Sequence, residues 1–160
     1  MVSAHCDSLV GVDFSEGLIN VARTHNAAPN VEYVVADVCE LGDEFFRRFT
    51  KVYMYEAVQH LTPQQFVGLL TAIRDSGTVS RFFVAGIPDR ALFASFYDTE
   101  EKRAFEAERE RTGRPHIGTW WDRDEMLETV AATGLKARVT GQPPSLYGSH
   151  FRFDCVVERP

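Results

Sequence analysis

The sequence predicts an α/β fold in which a mostly parallel sheet, flanked by helices, ends in an antiparallel strand pair. Three observations carry this. Short β-rich runs alternate with helical patterns along most of the chain, the order that builds parallel sheets. Those runs are almost continuously apolar, as strands covered on both faces are. The last two strand runs are joined without a helix, and so short a connection implies an antiparallel pair.

Taken in order, residues 8–13 form an apolar run ending in Asp13. Ser15 is placed to cap a helix whose inward face carries Leu18, Ile19 and Ala22. Pro29, within 26–30, breaks that helix, and 31–37 is a second β-rich run, again ending in an acid, Asp37. A short helical turn is expected over 44–49 and a third strand over 51–55. Thr62, Pro63 and Gln65 then supply an N-cap, a proline at the first helical position and a capping-box glutamine. Phe66, Leu69, Leu70 and Ile73 follow at helical spacing, and Gly77 is placed to stop the helix. A fourth strand covers 80–87, ended by Pro88. Residues 89–118 read as a helical insertion: Leu92, Phe93, Phe96 and Tyr97 make an apolar stripe, and 100–111 is dense in both charge signs, a solvated face. Asp122 and Glu125 look like a cap and its box partner. Strands over 135–140 and 151–157 close the chain, Phe151, Phe153 and Cys155 alternating with Arg152, Asp154 and Val156.

Composition bounds the function. The chain has 160 residues, 44% of them hydrophobic, enough for one domain with a buried core. Its net charge of -6 disfavours nucleic acid as a partner, because phosphate binding needs clustered Lys and Arg. With no apolar run of membrane length and no signal-peptide pattern, no membrane association is expected. Cys6, Cys39 and Cys155 are odd in number and widely spaced, which points to free thiols in the cytoplasm. No histidine stands at a metal-ligand spacing, so no metal site is expected.

The run 10–15, Val-Gly-Val-Asp-Phe-Ser, resembles the strand-two motif of the class I S-adenosylmethionine-dependent methyltransferases. Residues 35–38, Val-Ala-Asp-Val, resemble the strand-three motif, and 53–61 the motif ending strand four. The resemblance covers nearly the whole chain after Cys6. Ile117 to Trp121 and the insertion look most like small-molecule members, including those of sugar biosynthesis. It implies a doubly wound, Rossmann-like sheet with S-adenosylmethionine as cofactor. Asp13 would take both ribose hydroxyls, two acceptor oxygens meeting two donors, with Phe14 beside it. Asp37 would take the adenine amino group, the Val38 amide would meet the ring, and Glu56 would lie beneath the methyl donor. Each of these stands at the carboxyl end of a strand, where open α/β sheets bind ligands. His60, an imidazole, is the candidate general base. Tyr97, His116, Trp120, His150 and Arg152 are candidate substrate contacts, with Trp121 a further wall; otherwise His150 and Arg152 belong to a solvated strand face.

The sequence departs from the family in one respect. The family's first strand and glycine-rich loop do not precede Asp13, and a βαβ unit needs roughly 30 residues. Residues 113–118 have P-loop-like glycine spacing but lack the following Lys-Ser/Thr. The sheet is therefore expected to be incomplete and the chain N-terminally truncated. The 10–13 run would pair with the 51–55 run, or a partner chain would fill the gap, inviting self-association through the open sheet. The expected activity is methyl transfer to a hydroxyl or amine of a small metabolite, impaired without the loop. A non-catalytic interaction module and a nicotinamide-dependent enzyme are the alternatives.

Overall fold

The computed structural model describes residues 2–160. They form two compact units, the first ending at Gly42 and the second spanning Asp43–Pro160.

In the first unit, β1 (Leu9–Asp13) and β2 (Val31–Val35) run parallel, Leu9 opposite Val31 and Asp13 opposite Val35. The crossover between them is α1 (Glu16–His25), capped by Ser15, whose hydroxyl accepts from the Leu18 amide at 3.3 Å. Of the expected inward face only Ile19 is buried; Leu18 is exposed. The sheet beneath is just two strands wide, and it covers one residue of the helix stripe instead of three. Gly11 lies under the Tyr33 ring on the neighbouring strand, where a Cβ would come within 2.9 Å of the ring. The partner of β1 is β2, which the short α1 crossover brings alongside.

The second unit holds a four-stranded sheet in the order β3–β4–β6–β5, made of Lys51–Tyr55 (β3), Arg81–Pro88 (β4), Lys136–Gly141 (β5) and Arg152–Glu158 (β6). β3 pairs parallel with β4, while β6 is antiparallel to both β4 and β5. The expected antiparallel pair is therefore present, but β6 is central. Residues 152–157 are all buried, including Arg152 and Asp154, each 7% exposed. This corrects the solvated strand face expected for Arg152. Alternating polarity marks an amphipathic strand only when one face meets water, and here residues on both faces of β6 are buried.

α2 (Asp43–Phe46) is shorter than the expected turn over 44–49. α3 (Pro63–Asp75) carries the full capping box: the Gln65 backbone amide donates to the Thr62 hydroxyl at 3.2 Å and the Thr62 backbone amide to the Gln65 side-chain Oε1 at 2.8 Å. Its stripe of Phe66, Leu69, Leu70 and Ile73 is buried, Phe66 meeting Phe82 of β4 and Trp121. Gly77, at φ +78°, ends it. Thr62→Ala removes one half of the box and is expected to cost about 1 kcal/mol, read as a lower thermal midpoint in calorimetry; an unchanged midpoint would show that the box adds nothing.

Residues 89–118 fold as a 3₁₀ turn (Arg90–Leu92), α4 (Phe93–Phe96) and α5 (Glu100–Arg111). Their stripe closes on a cluster of buried Tyr97, Trp120 and Phe151, with Phe93, Phe96 and Ile117 packed against it. α6 (Arg123–Ala132) is capped by Asp122, which accepts from the Asp124 amide at 2.9 Å. Glu125 is not the box partner expected; it ion-pairs with Arg90 at 2.9 Å. No helix among the described residues is long and apolar enough to cross a membrane.

Candidate functional site

In the first unit, the parallel register sets the two strand-end acids at one end of the sheet. Asp13 closes β1, and the Ala36 amide donates to its carbonyl at 3.0 Å, leading the chain to Asp37. Each acid also organises the turn that follows it. One Asp13 oxygen accepts from the Ser15 amide at 2.8 Å, and one Asp37 oxygen from the Cys39 amide at 2.9 Å. Phe14 presents an apolar ring beside Asp13, 80% exposed. Val38 is half-buried and begins a 3₁₀ turn, Val38–Glu40, for which Asp37 is the cap. Asp37 lies against the Cys39 thiol, and burial together with that carboxylate pushes the thiol up to about 11.

In the second unit the chain is held in an unusual conformation just after β3. Glu56 has φ +48°, and among the described residues no other non-glycine residue has positive φ. Such backbone is strained for a residue with a side chain and persists where its surroundings fix it. Here they are fixed tightly. The Glu56 amide donates to the Ala85 carbonyl at 2.9 Å, extending the β3–β4 ladder. Gly86, at φ +74°, sits directly opposite, and a Cβ there would lie 2.6 Å from Glu56 Cγ. The register of β4 against β6 shifts between Val84 and Ile87, so Gly86 occupies a bulge.

Two buried charged side chains of β6 secure that bulge. Arg152 donates to the Gly86 carbonyl, and the Gly86 amide donates to Asp154 Oδ1 at 2.9 Å. Gln142 Nε2 donates to the same oxygen at 2.8 Å. The guanidinium of Arg152 lies 3.7 Å from the Glu56 carboxylate and 4.7 Å from the centre of the Phe151 ring. Burial lowers the Arg152 pKa from its usual value, opposed by the Glu56 charge. The Tyr55 hydroxyl is bonded to Glu56, and that bond chiefly raises its pKa.

Beside this node opens a cavity of about 270 Å³, lined by Glu56 and Arg152 together with Phe96, His116, Ile117, Tyr147, Gly148, His150 and Phe151. Of the residues expected at the substrate, His116, His150 and Arg152 are brought together here, along with Glu56. Tyr97 and Trp120 are not in the lining. They are buried behind it, with Phe96 against both rings at 4.9 and 5.6 Å. Burial, aided by the Glu106 carboxylate, raises the Tyr97 pKa well above a tyrosine's usual value. His60 is exposed at the end of a 3₁₀ turn, Val58–His60, outside the lining. Among the described residues no group of three or more His, Cys, Asp or Glu is placed to hold a metal.

Sequence reasoning missed Gly86, Asp154, Gln142, Tyr147 and Gly148. Gly86 carried a readable signal, an isolated glycine within an apolar strand, which marks a bulge or a close approach. The others meet the site through pairings far apart in the chain.

Residues 1–76 match the family described as a methyltransferase domain. No curated protein matches the chain by sequence. The fold recurs in the magnesium protoporphyrin IX methyltransferase of Synechocystis, solved with SAH bound: the TM-score is 0.60 at 12% identity, over 96% of this chain and 64% of that one. It recurs in the methyltransferase domain of a bacterial Hen1, at TM-score 0.65 and 13% identity, over 96% of this chain and 77% of that one. A DhpI–SAH complex gives 0.65 and 14%, over 96% and 67%. The likeness at these identities is one of fold, and the chain spans less than two thirds of the Synechocystis enzyme.

Proposed function

We propose that this chain, which belongs to the class I S-adenosylmethionine-dependent methyltransferase family, binds S-adenosylmethionine through its first unit and serves methyl transfer to a hydroxyl or amine of a small metabolite. The observation that carries the reading is the placement of Asp13 and Asp37 at one end of a parallel strand pair, each carboxylate beside the turn that follows its strand. That arrangement fits the nucleoside portion of the cofactor. Asp13 accepts from the ribose hydroxyls, Asp37 from the adenine amino group, and the Phe14 ring and Val38 amide meet the base. When bound, the cofactor supplies a methyl group on a cationic sulfur. Glu56, held in place by Gly86, accepts a hydrogen bond from the acceptor group, and His60 stands as a second proton acceptor outside the cavity lining. Alignment and exclusion of water supply most of what such a displacement needs.

Among the described residues no glycine-rich turn joins a strand to a helix, so no backbone amides of that kind meet the methionine end. Binding then rests on the nucleoside and is weak. Titration calorimetry with S-adenosylmethionine is expected to show weak binding, lowered a further 10- to 100-fold, roughly, in Asp13→Ala, the loss of hydrogen bonds to a charged acceptor. Tight binding unchanged in that variant would refute the assignment. The three unpaired cysteines support a reducing, cytoplasmic setting.

One observation favours the interaction-module reading alongside this one. β3 is an outer strand of its sheet, and on it Tyr53 is 55% exposed and stacks on Phe83 at 5.7 Å and on Tyr55 at 6.3 Å. An outer strand with an aromatic face invites pairing with another chain, such as a second copy. Light scattering would register a dimer if it forms; a monomer at all concentrations would count against it.

A further inference from the structure

Five of the nine residues around the cavity in the second unit carry rings: Phe96, His116, Tyr147, His150 and Phe151. Phe96 and His150 lie nearly parallel, 23° apart with centroids at 6.4 Å, and Phe96 meets Phe151 at 4.4 Å. Walls of this kind favour a flat apolar body over a flexible chain. Size narrows the choice. A space of roughly 150 Å³ encloses one benzene ring, so about 270 Å³ has room for a single substituted ring.

The polar end of the cavity is equally selective. Glu56 and Arg152 face each other at 3.7 Å, longer than the roughly 2.7–2.9 Å of a charge-assisted hydrogen bond. The gap is wide enough for a polar atom to bridge the two. Arg152 Nε is buried without a hydrogen-bond partner, in a residue only 7% exposed. Gly148 leaves it room: a Cβ at that position would stand 3.1 Å from Nε and 2.8 Å from Cδ. A carboxylate beside an arginine asks for a group that both donates and accepts. A hydroxyl does both. An ammonium only donates and a carboxylate only accepts, so each satisfies half of the pair.

We propose that this cavity binds a single-ring hydroxyaromatic compound, its ring among Phe96, His150 and Phe151 and its hydroxyl bridging Glu56 and Arg152. This rests on the methyl-transfer reading only in naming the compound as the acceptor; the site itself is independent of the cofactor. The hydroxyl donates its hydrogen to the Glu56 carboxylate and accepts from the Arg152 guanidinium, which orients the oxygen lone pair out of the ring plane. The narrower reading selects hydroxyl over amine as the group methylated.

The test uses the full chain and small probes without cofactor, followed by nuclear magnetic resonance titration. Phenol is expected to bind with shifts at residues 148–152 and at Glu56. Cyclohexanol, benzylamine (an ammonium at neutral pH) and benzoate should bind at least several-fold more weakly. His150→Ala, an exposed position, should weaken phenol roughly three- to tenfold by removing one ring contact. Glu56→Gly suits the left-handed backbone and removes the carboxylate; it should abolish the preference of phenol over benzoate. Equal binding of phenol and cyclohexanol, or shifts away from these residues, would overturn the proposal. If phenol binds here while the chain fails to take up S-adenosylmethionine, the methyl-transfer reading falls and the site stands. If the cofactor binds and phenol shows no preference, the aromatic site falls and the methyl-transfer reading stands.

Discussion

Asp154→Ala is expected to destabilise the second unit by about 3–5 kcal/mol. The carboxylate is buried at the middle of β6 and one of its oxygens accepts from both the Gly86 amide and Gln142 Nε2. Alanine leaves those two buried donors unpaired, at about 1–3 kcal/mol each. The neighbouring Arg152, also buried, loses the ordered bulge to which it donates. Asp154→Asn keeps an acceptor oxygen in the same place and should cost about half as much or less. Urea unfolding followed by circular dichroism reads both. The account requires the alanine variant to unfold at clearly lower denaturant and the asparagine variant to lie between it and the parent. Equal midpoints for all three would show that Gly86 and Gln142 find other partners.

Gly118→Ala has the second largest expected effect, about 2–4 kcal/mol. Gly118 stands at φ +100°, a conformation that alanine rarely adopts. A Cβ there would also collide with the backbone carbonyl of Gln59. That carbonyl accepts from the Thr119 amide at 2.8 Å, so the clash breaks the bond that ties the end of the insertion to the turn after β3. Trp120 and Trp121 follow immediately, and both are buried, Trp121 against Phe66. The substitution should lower the thermal midpoint and increase tryptophan exposure together, read by fluorescence quenching. A variant with the parent's midpoint and quenching would contradict the placement of Gly118 against Gln59.

The parts of the fold legible in the sequence are those set by local chemistry. The Thr62–Gln65 capping box and the Phe66, Leu69, Leu70, Ile73 stripe identify α3 because every signal lies within one helix. The strand-end acids Asp13 and Asp37 are similarly local, each closing its own strand and turn. The last strand misleads for the opposite reason. Arg152 and Asp154 alternate with apolar residues, and alternation alone does not say whether water or packed protein covers that face. Their burial and their bonds to Gly86 show that both are interior. The left-handed Glu56 has no sequence signature of its own; it depends on Gly86, 30 positions later, and on Arg152. The cavity combines Phe96, His116 and His150 from three separate stretches, so its aromatic character is a property of the fold and not of a motif. Two further departures, the exposed Leu18 and the pairing of Glu125 with Arg90, depend on neighbours outside the helix that the sequence pattern does not name.

We propose that Asp13 and Asp37 hold the nucleoside of the cofactor. The most direct measurement is a nuclear magnetic resonance titration of the full chain with S-adenosylhomocysteine, with backbone amides assigned. The account predicts that the largest shifts fall at residues 13–15 and 36–39, and that they vanish in Asp13→Ala while the spectrum otherwise stays folded. Shifts confined to other residues, or a titration unaltered by Asp13→Ala, would contradict it.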